Sequence, residues 1–184
     1  CQSPDKFPLD RFHQQGTGKG EAILIVGESP AANGWRASGK AFYTSQGKLL
    51  PSGRRLNELL LPLGLSVETC GFTELAKCFV GKNRKDLAAC CWGCWPIFLK
   101  QLKASDYKLI IILGVETSHI FNELANTRLE TGVVAKAAID NKTYTILPIY
   151  HPSPINPHGR RKNELIFESQ EVTRLFHLNG RIKL

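Results

Sequence analysis

Two tetrapeptides hold the residues best suited to chemistry: Gly27-Glu28-Ser29-Pro30 and His151-Pro152-Ser153-Pro154. Each follows a short apolar run, Ala22–Val26 and Thr143–Tyr150. Glycine permits a sharp exit from a strand and Pro30 stiffens the turn after it, which would hold Glu28 at a sheet edge where its carboxylate could orient a water. Prolines restrict the backbone on both sides of Ser153. A histidine at such a strand end can donate a hydrogen bond to a leaving group or a developing oxyanion. Singly, each motif is ambiguous. GESP also reads as an ordinary βα turn with a surface glutamate, and a lone histidine is more often a satisfied structural residue. Their pairing favours a reaction centre.

The elements that must position these groups alternate between β-rich runs and helical stretches, which predicts an α/β fold with a mainly parallel sheet. Strands are expected at 22–26, 69–74, 109–113 and 143–150, and helices at 52–61, 87–103, 116–124 and 163–177. The resulting fold class is a three-layer α/β/α sandwich around a four-stranded, mainly parallel sheet, with residues 1–184 forming one domain. Pro148 marks an edge or exit in the last strand, and Pro96 should kink or split the second helix. In that helix Leu87, Cys91, Cys94, Phe98 and Leu102 recur every three or four residues, giving one apolar face. Three unusual loops follow strand ends: Gly27–Gln46, rich in Gly, Ser and Ala; the basic Cys78–Asp86; and His151–Lys162, rich in Pro, His and Arg. Ligands of open parallel sheets bind beyond the carboxyl ends of the strands, so these loops should gather on one edge.

A chain of 184 residues can bury a core without disulfides or metals. Its net charge of +8 suggests a polyanionic partner, nucleic acid before an anionic membrane surface, although solubility alone can also account for surplus charge. No run approaches the length of a membrane span, and no signal peptide is visible; a cytoplasmic monomer is expected. Five of the six cysteines lie between Cys70 and Cys94. That clustering favours a local metal or cluster site in a reducing compartment over a secreted disulfide scaffold. The start at Cys1 and the lack of methionine point to residues missing ahead of it.

Gly27–Pro30, Gly39–Phe42, Phe72–Cys78, Cys94 and His151–Pro154 resemble, in order and spacing, the uracil-DNA glycosylase superfamily. The resemblance is nearest to its cysteine-containing family 4. That family carries GE-x-P-G, G-x-P-F and T-N-x-x-K-C motifs, then a second cysteine after fifteen residues, the same gap that separates Cys78 from Cys94. The HPSP tetrapeptide is more similar to other branches of the superfamily. The resemblance implies a DNA glycosylase, a hydrolase of N-glycosyl bonds acting on duplex or single-stranded DNA. The target nucleotide flips into a pocket because its glycosidic bond is unreachable in the stack. Glu28 would position the hydrolytic water and His151 would stabilise the oxygen of the departing base. Phe42 would stack on that base, with Gly27, Ser29 and Glu74 beside it. Ser153, Pro154 and Asn156 would grip phosphates and wedge into the helix, as intercalating loops do. Arg160, Arg161 and Lys162 would add salt-sensitive phosphate contacts, as would Ser52, Lys82 and Arg84. The three basic residues also read as a solvated turn.

Two departures from the family pattern matter. First, the base-reading asparagine of T-N-x-x-K-C is replaced in Thr73-Glu74-Leu75-Ala76-Lys77-Cys78. Asparagine offers an acceptor and a donor, suiting N3–H and O4 of uracil; an ionised glutamate offers acceptors only. A carboxylate suits the amino group of cytosine, and a proton retained on Glu74 by burial would complete the match to N3. Excision of ordinary cytosine would be toxic, so the expected substrate is a modified cytosine, such as those of some bacteriophage DNA, with antiviral defence as the role. Ordinary uracil repair is the alternative, with Glu74 pointing elsewhere. Second, the family's N-terminal C-x-x-C is reduced to Cys1. An iron–sulfur (4Fe-4S) cluster needs four thiolates, and Cys1, Cys78, Cys91 and Cys94 form the candidate set for it or for zinc. Cys90 and Cys70 are weaker candidates, and the cysteines also read as buried thiols left after cluster loss. The hydrolysis itself requires no cofactor. A non-catalytic DNA-binding module would keep the basic charge but leave Glu28 and His151 unexplained. Covalent attack by a histidine after the second strand is disfavoured, since Gly81–Asp86 has none.

Overall fold

The computed structural model describes residues 11–81 and 84–179. Its centre is four parallel strands: β2 (Ile23–Gly27), β3 (Gly71–Glu74), β4 (Leu109–Leu113) and β6 (Lys142–Ile149). Short antiparallel strands β1 (His13–Gln14) and β5 (Ala135–Ile139) are added at the two edges, giving the order β1-β3-β2-β4-β6-β5. The expected four strands are therefore present, and the sheet is extended to six. The additions left little trace in the sequence. β1 is two residues long, and β5 reads Ala-Lys-Ala-Ala-Ile, mostly residues depleted in strands. β5 is secured by a two-residue hairpin in which Asp140 and Asn141 both take positive φ, 49° and 66°. That is the backbone a tight hairpin demands, and short polar residues tolerate it best.

β2 and β4 are buried along their whole length, as strands covered on both faces must be. On one face Ile23, Ile25, Leu109 and Ile111 pack with Trp35 of α1 (Trp35–Ser38) and with Leu56 and Leu60 of α2 (Pro51–Leu60). The same layer includes Phe167 of α5 (Pro157–Glu168) and Phe176 of α6 (Gln170–Asn179). On the other face Leu24, Val26, Ile110 and Ile112 meet Cys91, Phe98 and Leu102 of α3 (Leu87–Lys103) and Phe121 of α4 (Val115–Ala125). The three layers follow from this alternation of side chains across the sheet. All five residues of the expected apolar face of α3 are buried.

Three local expectations are corrected or refined. α3 runs unbroken through Pro96, which is exposed. The carbonyl one turn earlier belongs to Trp92, itself 54% exposed, where water can replace the missing backbone bond. The single helix expected over 163–177 is two helices. Ser169 is extended (φ −62°, ψ 143°) and its hydroxyl caps Val172 N–H at 3.3 Å, starting α6 afresh. α5 also begins earlier, at Pro157, with the Asn156 side chain accepting from Gly159 N–H at 2.9 Å. Arg160, Arg161 and Lys162 therefore lie on a helix, not in a loop. Pro148 behaves as an exit residue: β5 pairs β6 only as far as Ile146, so no neighbour on that side needs the missing N–H. No helix of the described residues is long and apolar enough to cross a membrane.

Candidate active site

From β2 the chain passes to β3 on one side and then crosses to β4 on the other. Such a reversal leaves a crevice at the carboxyl ends of the strands. Here it is a cleft of about 480 Å³. Gly27, Glu28 and Ser29 enter it from β2, Phe72 and Glu74 from β3, Leu113–Thr117 from the β4–α4 junction, and His151 from the end of β6. Phe42 and Ser52 line it from the segment before and within α2, and Arg84 from the loop after β3. The three unusual loops thus converge on one edge, as expected.

Backbone staples fix this edge. Gly27 and Glu28 carbonyls accept from Leu75 and Ala76 N–H groups, both at 2.9 Å, tying the GESP turn to the end of β3. Gly114 N–H donates to Ile149 O at 2.8 Å, tying β4 to the strand that delivers His151. Glycine at position 27 leaves room for the Glu74 carboxyl, since a Cβ there would lie 2.1 Å from Glu74 Oε2 and force the side chain to shift. The same contact shows where the glutamate points: its carboxyl reaches the Gly27 backbone on the cleft floor.

Glu28 forms an ion pair with Arg84 across the cleft. His151 is solvent-accessible. The protein around it, and secondarily the Arg84 charge, push its pKa below the usual imidazole value. Neutral imidazole keeps one N–H donor, which can bond a developing oxyanion. Phe42 is buried, and packs on Phe72 with ring centroids 4.3 Å apart; Phe72 in turn touches Trp35 at 5.2 Å. Phe42 holds a left-handed backbone (φ 63°), unusual for a bulky residue. Gly53 makes room for it, since a Cβ there would come within 2.9 Å of Phe42 Cβ.

Glu74 is 8% exposed, and its Oε2 has no hydrogen-bond partner. Burial raises its pKa to about 8, against the opposing pull of Lys77. Lys77 is fully buried and donates to Thr73 Oγ1 (2.6 Å), Gln101 Oε1 (2.8 Å) and the Glu74 carbonyl. It thereby anchors the backbone that carries Glu74. Its own pKa is lowered by burial to about 7. Each group of this pair is pushed toward its neutral form, because charge is costly in a dry interior.

Outside the cleft, Ser153 and Arg160 border a separate cavity of about 200 Å³ between α2 and α5. Asn156 is occupied as the α5 cap, and the Ser153 hydroxyl accepts from Ile155 N–H at 3.3 Å. Arg160 contacts Glu164 (3.0 Å) and Glu58 (3.6 Å), Arg161 contacts Glu164 (3.4 Å), and Lys162 lies over the Tyr150 ring at 4.8 Å. Pro154 is exposed, and beside it Ile155 is 90% exposed, an apolar residue at a loop tip that sequence reasoning passed over. Its signal was an isoleucine amid Pro, Asn and His. Glu116 and Thr117 were also missed; a glycine ending the Leu109–Leu113 run was the available clue. Lys82 lies outside the described residues.

The cysteine set needs revision. Cys70 belongs to the opposite face of the sheet from Cys78, Cys90 and Cys91, which removes it as a partner. Cys78 hydrogen-bonds Cys90, not Cys91, and burial is the main cause that pushes the Cys78 and Cys91 thiols up to about 12. Cys94 Sγ accepts from Lys77 N–H at 3.2 Å. Among the described residues no three Cys, His, Asp or Glu side chains are arranged to hold a metal ion. Cys1 lies outside the described residues. The described thiols alone therefore do not fit a four-thiolate cluster or a tetrahedral zinc.

The uracil DNA glycosylase superfamily model matches residues 14–170. A type-4 uracil-DNA glycosylase of Saccharolobus solfataricus is 32% identical over 158 residues, 80% of this chain and 68% of that protein. One of Archaeoglobus fulgidus is 27% identical over 176 residues, 91% of this chain and 85% of that protein. With the match reaching from the first edge strand to the last helix pair, this DNA glycosylase belongs to the uracil-DNA glycosylase superfamily.

Proposed function

We propose that the enzyme excises a cytosine-type base bearing its exocyclic amino group, with Glu74 as the reader. The observation that carries this reading is the buried Glu74 carboxyl, one oxygen unpartnered, with a pKa of about 8. Protonated at neutral pH, it presents one O–H donor and one acceptor. These match the N3 acceptor and the amino donor of cytosine. The cleft volume is in the range that accommodates whole small ligands, which suits a 5-substituted cytosine of the kind found in some bacteriophage DNA. Excision of such a base would serve antiviral defence.

In this reading the flipped base stacks on Phe42, with Gly27 and Ser29 along its edge. Ile155 and Pro154 fill the gap left in the helix. The C1′–N bond breaks with its electron pair leaving on the base. Neutral His151 donates to the base oxygen that gains charge, and Glu28 orients the water that attacks C1′ and accepts its proton. Ser52, Arg160, Arg161 and Lys162 bear on phosphates.

A second reading, uracil as substrate, is supported by the same proton. A protonated Glu74 can donate to O4 and accept from N3–H, and both relatives are named for uracil. Release of uracil, cytosine and 5-substituted cytosines from matched oligonucleotides separates the two. Release of a cytosine-type base is expected; release of uracil alone overturns the first reading. Iron and acid-labile sulfide analysis of the purified protein decides whether Cys1, Cys78, Cys91 and Cys94 hold a cluster.

A further inference from the structure

Five non-glycine residues of the described chain have positive φ: Phe42, Arg84, Asn126, Asp140 and Asn141. Three are Asn or Asp, whose short polar side chains tolerate that conformation. The other two, Phe42 and Arg84, both line the cleft. A residue persists in a strained conformation only where its surroundings hold it there, and such residues cluster at functional sites. For Arg84 (φ 53°) the hold is visible: its guanidinium is ion-paired to Glu28. It comes from the loop after β3, while Glu28 follows β2, so the pair joins two segments already stapled through Gly27 and Glu28 carbonyls.

From this geometry we infer that Arg84 is a positioning residue for Glu28, holding its carboxylate in the orientation that directs the attacking water. This rests on the role given to Glu28 under the proposed function. Without Arg84 the glutamate would be a flexible side chain at a cleft mouth, with Glu116 and His151 as its charged or titratable neighbours and Glu74 on the floor. A planar guanidinium fork restricts a carboxylate in direction as well as distance, which an ammonium does not. The same cation also helps keep His151 neutral, so one side chain bears on both groups at the cleft mouth. A phosphate-gripping arginine would instead point away from the carboxylates.

The test is single-turnover excision at saturating enzyme, with DNA affinity measured separately, for R84Q, R84K, E28Q and the R84Q/E28Q pair on the oligonucleotide the wild type cleaves fastest. Thermal melts verify folding, and R84K guards against loss of fold in R84Q. R84Q is expected to lower the saturated rate about tenfold or more with Kd changed less than about threefold. R84K should recover only part of the rate, since it keeps charge but not the fork. In the E28Q background R84Q should cost little further, because residues acting as a unit are not additive. The acid limb of the rate profile should move to higher pH in R84Q, because the Arg84 charge is one of the causes that hold the His151 pKa down. Raised Kd with an unchanged saturated rate, or a loss that multiplies with that of E28Q, overturns the inference and makes Arg84 a phosphate contact. If E28Q itself leaves the rate unchanged, the Glu28 assignment fails instead.

Discussion

The two ends of the cleft differ in how they hold charge. At the mouth, Glu28, Arg84 and His151 are reached by solvent, and the two charges are paired with each other. On the floor, Lys77 is sealed from water and Glu74 keeps only 8% of its surface exposed, and each is driven toward its neutral form. Under the proposed function the difference separates two tasks. Groups that handle a water and a departing anion need fixed direction and access. A group that distinguishes bases needs a dry site, where a mismatched donor or acceptor finds no water to replace the lost bond.

Breaking the mouth should cost most. Glu28→Gln and His151→Ala are each expected to reduce single-turnover excision by about 10²–10⁴-fold, measured as abasic sites cleaved by alkali, with DNA affinity nearly unchanged. Persistence of full activity in both would move the reaction centre elsewhere. Ile155→Ala, at an exposed loop tip outside the cleft, should slow excision from duplex DNA by about tenfold and from single-stranded DNA much less. The wedge is needed only where a stack must be opened. Equal losses on both substrates would remove the wedge role.

The floor should reveal itself through pH. Folded Glu74 keeps its proton to about 8, against an ordinary 4.5. Between those values the folded protein binds a proton that the unfolded chain releases, so its contribution to stability falls as pH rises. Lys77, lowered to about 7 from 10.5, acts in the opposite sense above neutrality. Glu74→Gln should therefore gain stability over wild type by about 1–3 kcal/mol on going from pH 4.5 to 7.5, read from urea midpoints. An equal effect at both pH values would mean that Glu74 is ionised in the folded protein. The smallest expected effect lies outside the cleft: Arg161→Ala should weaken binding a few-fold on all sequences and reduce the salt slope by about one.

Much of the mouth was legible in the linear sequence. GESP and HPSP each pair a reactive side chain with residues that restrict the backbone around it, and such local constraints can be read without knowing the partners. The buried strands and the apolar face of α3 were legible for a similar reason, since their periodicity repeats in every turn or pleat. What escaped was set by contacts distant in sequence. β5 is a strand because β6 pairs with it, despite its alanines. The exception was local: the Asn156 cap and Pro157, a start signal within four residues, make Arg160 to Lys162 helical. Cys90, not Cys91, is the neighbour of Cys78 although both are buried, because helix rotation, not spacing, decides which of two adjacent thiols is aimed at it.

The sequence by itself determined the fold class, the superfamily and the presence of a glutamate where the family reads the base. These depend on residue types in order, and order survives without coordinates. Only the tertiary structure decided that Arg84 closes on Glu28 and that Glu74 lies dry against the backbone of Gly27. Ion pairing and desolvation depend on distance and burial, which arise when the loops after β2 and β3 meet at the edge of the sheet.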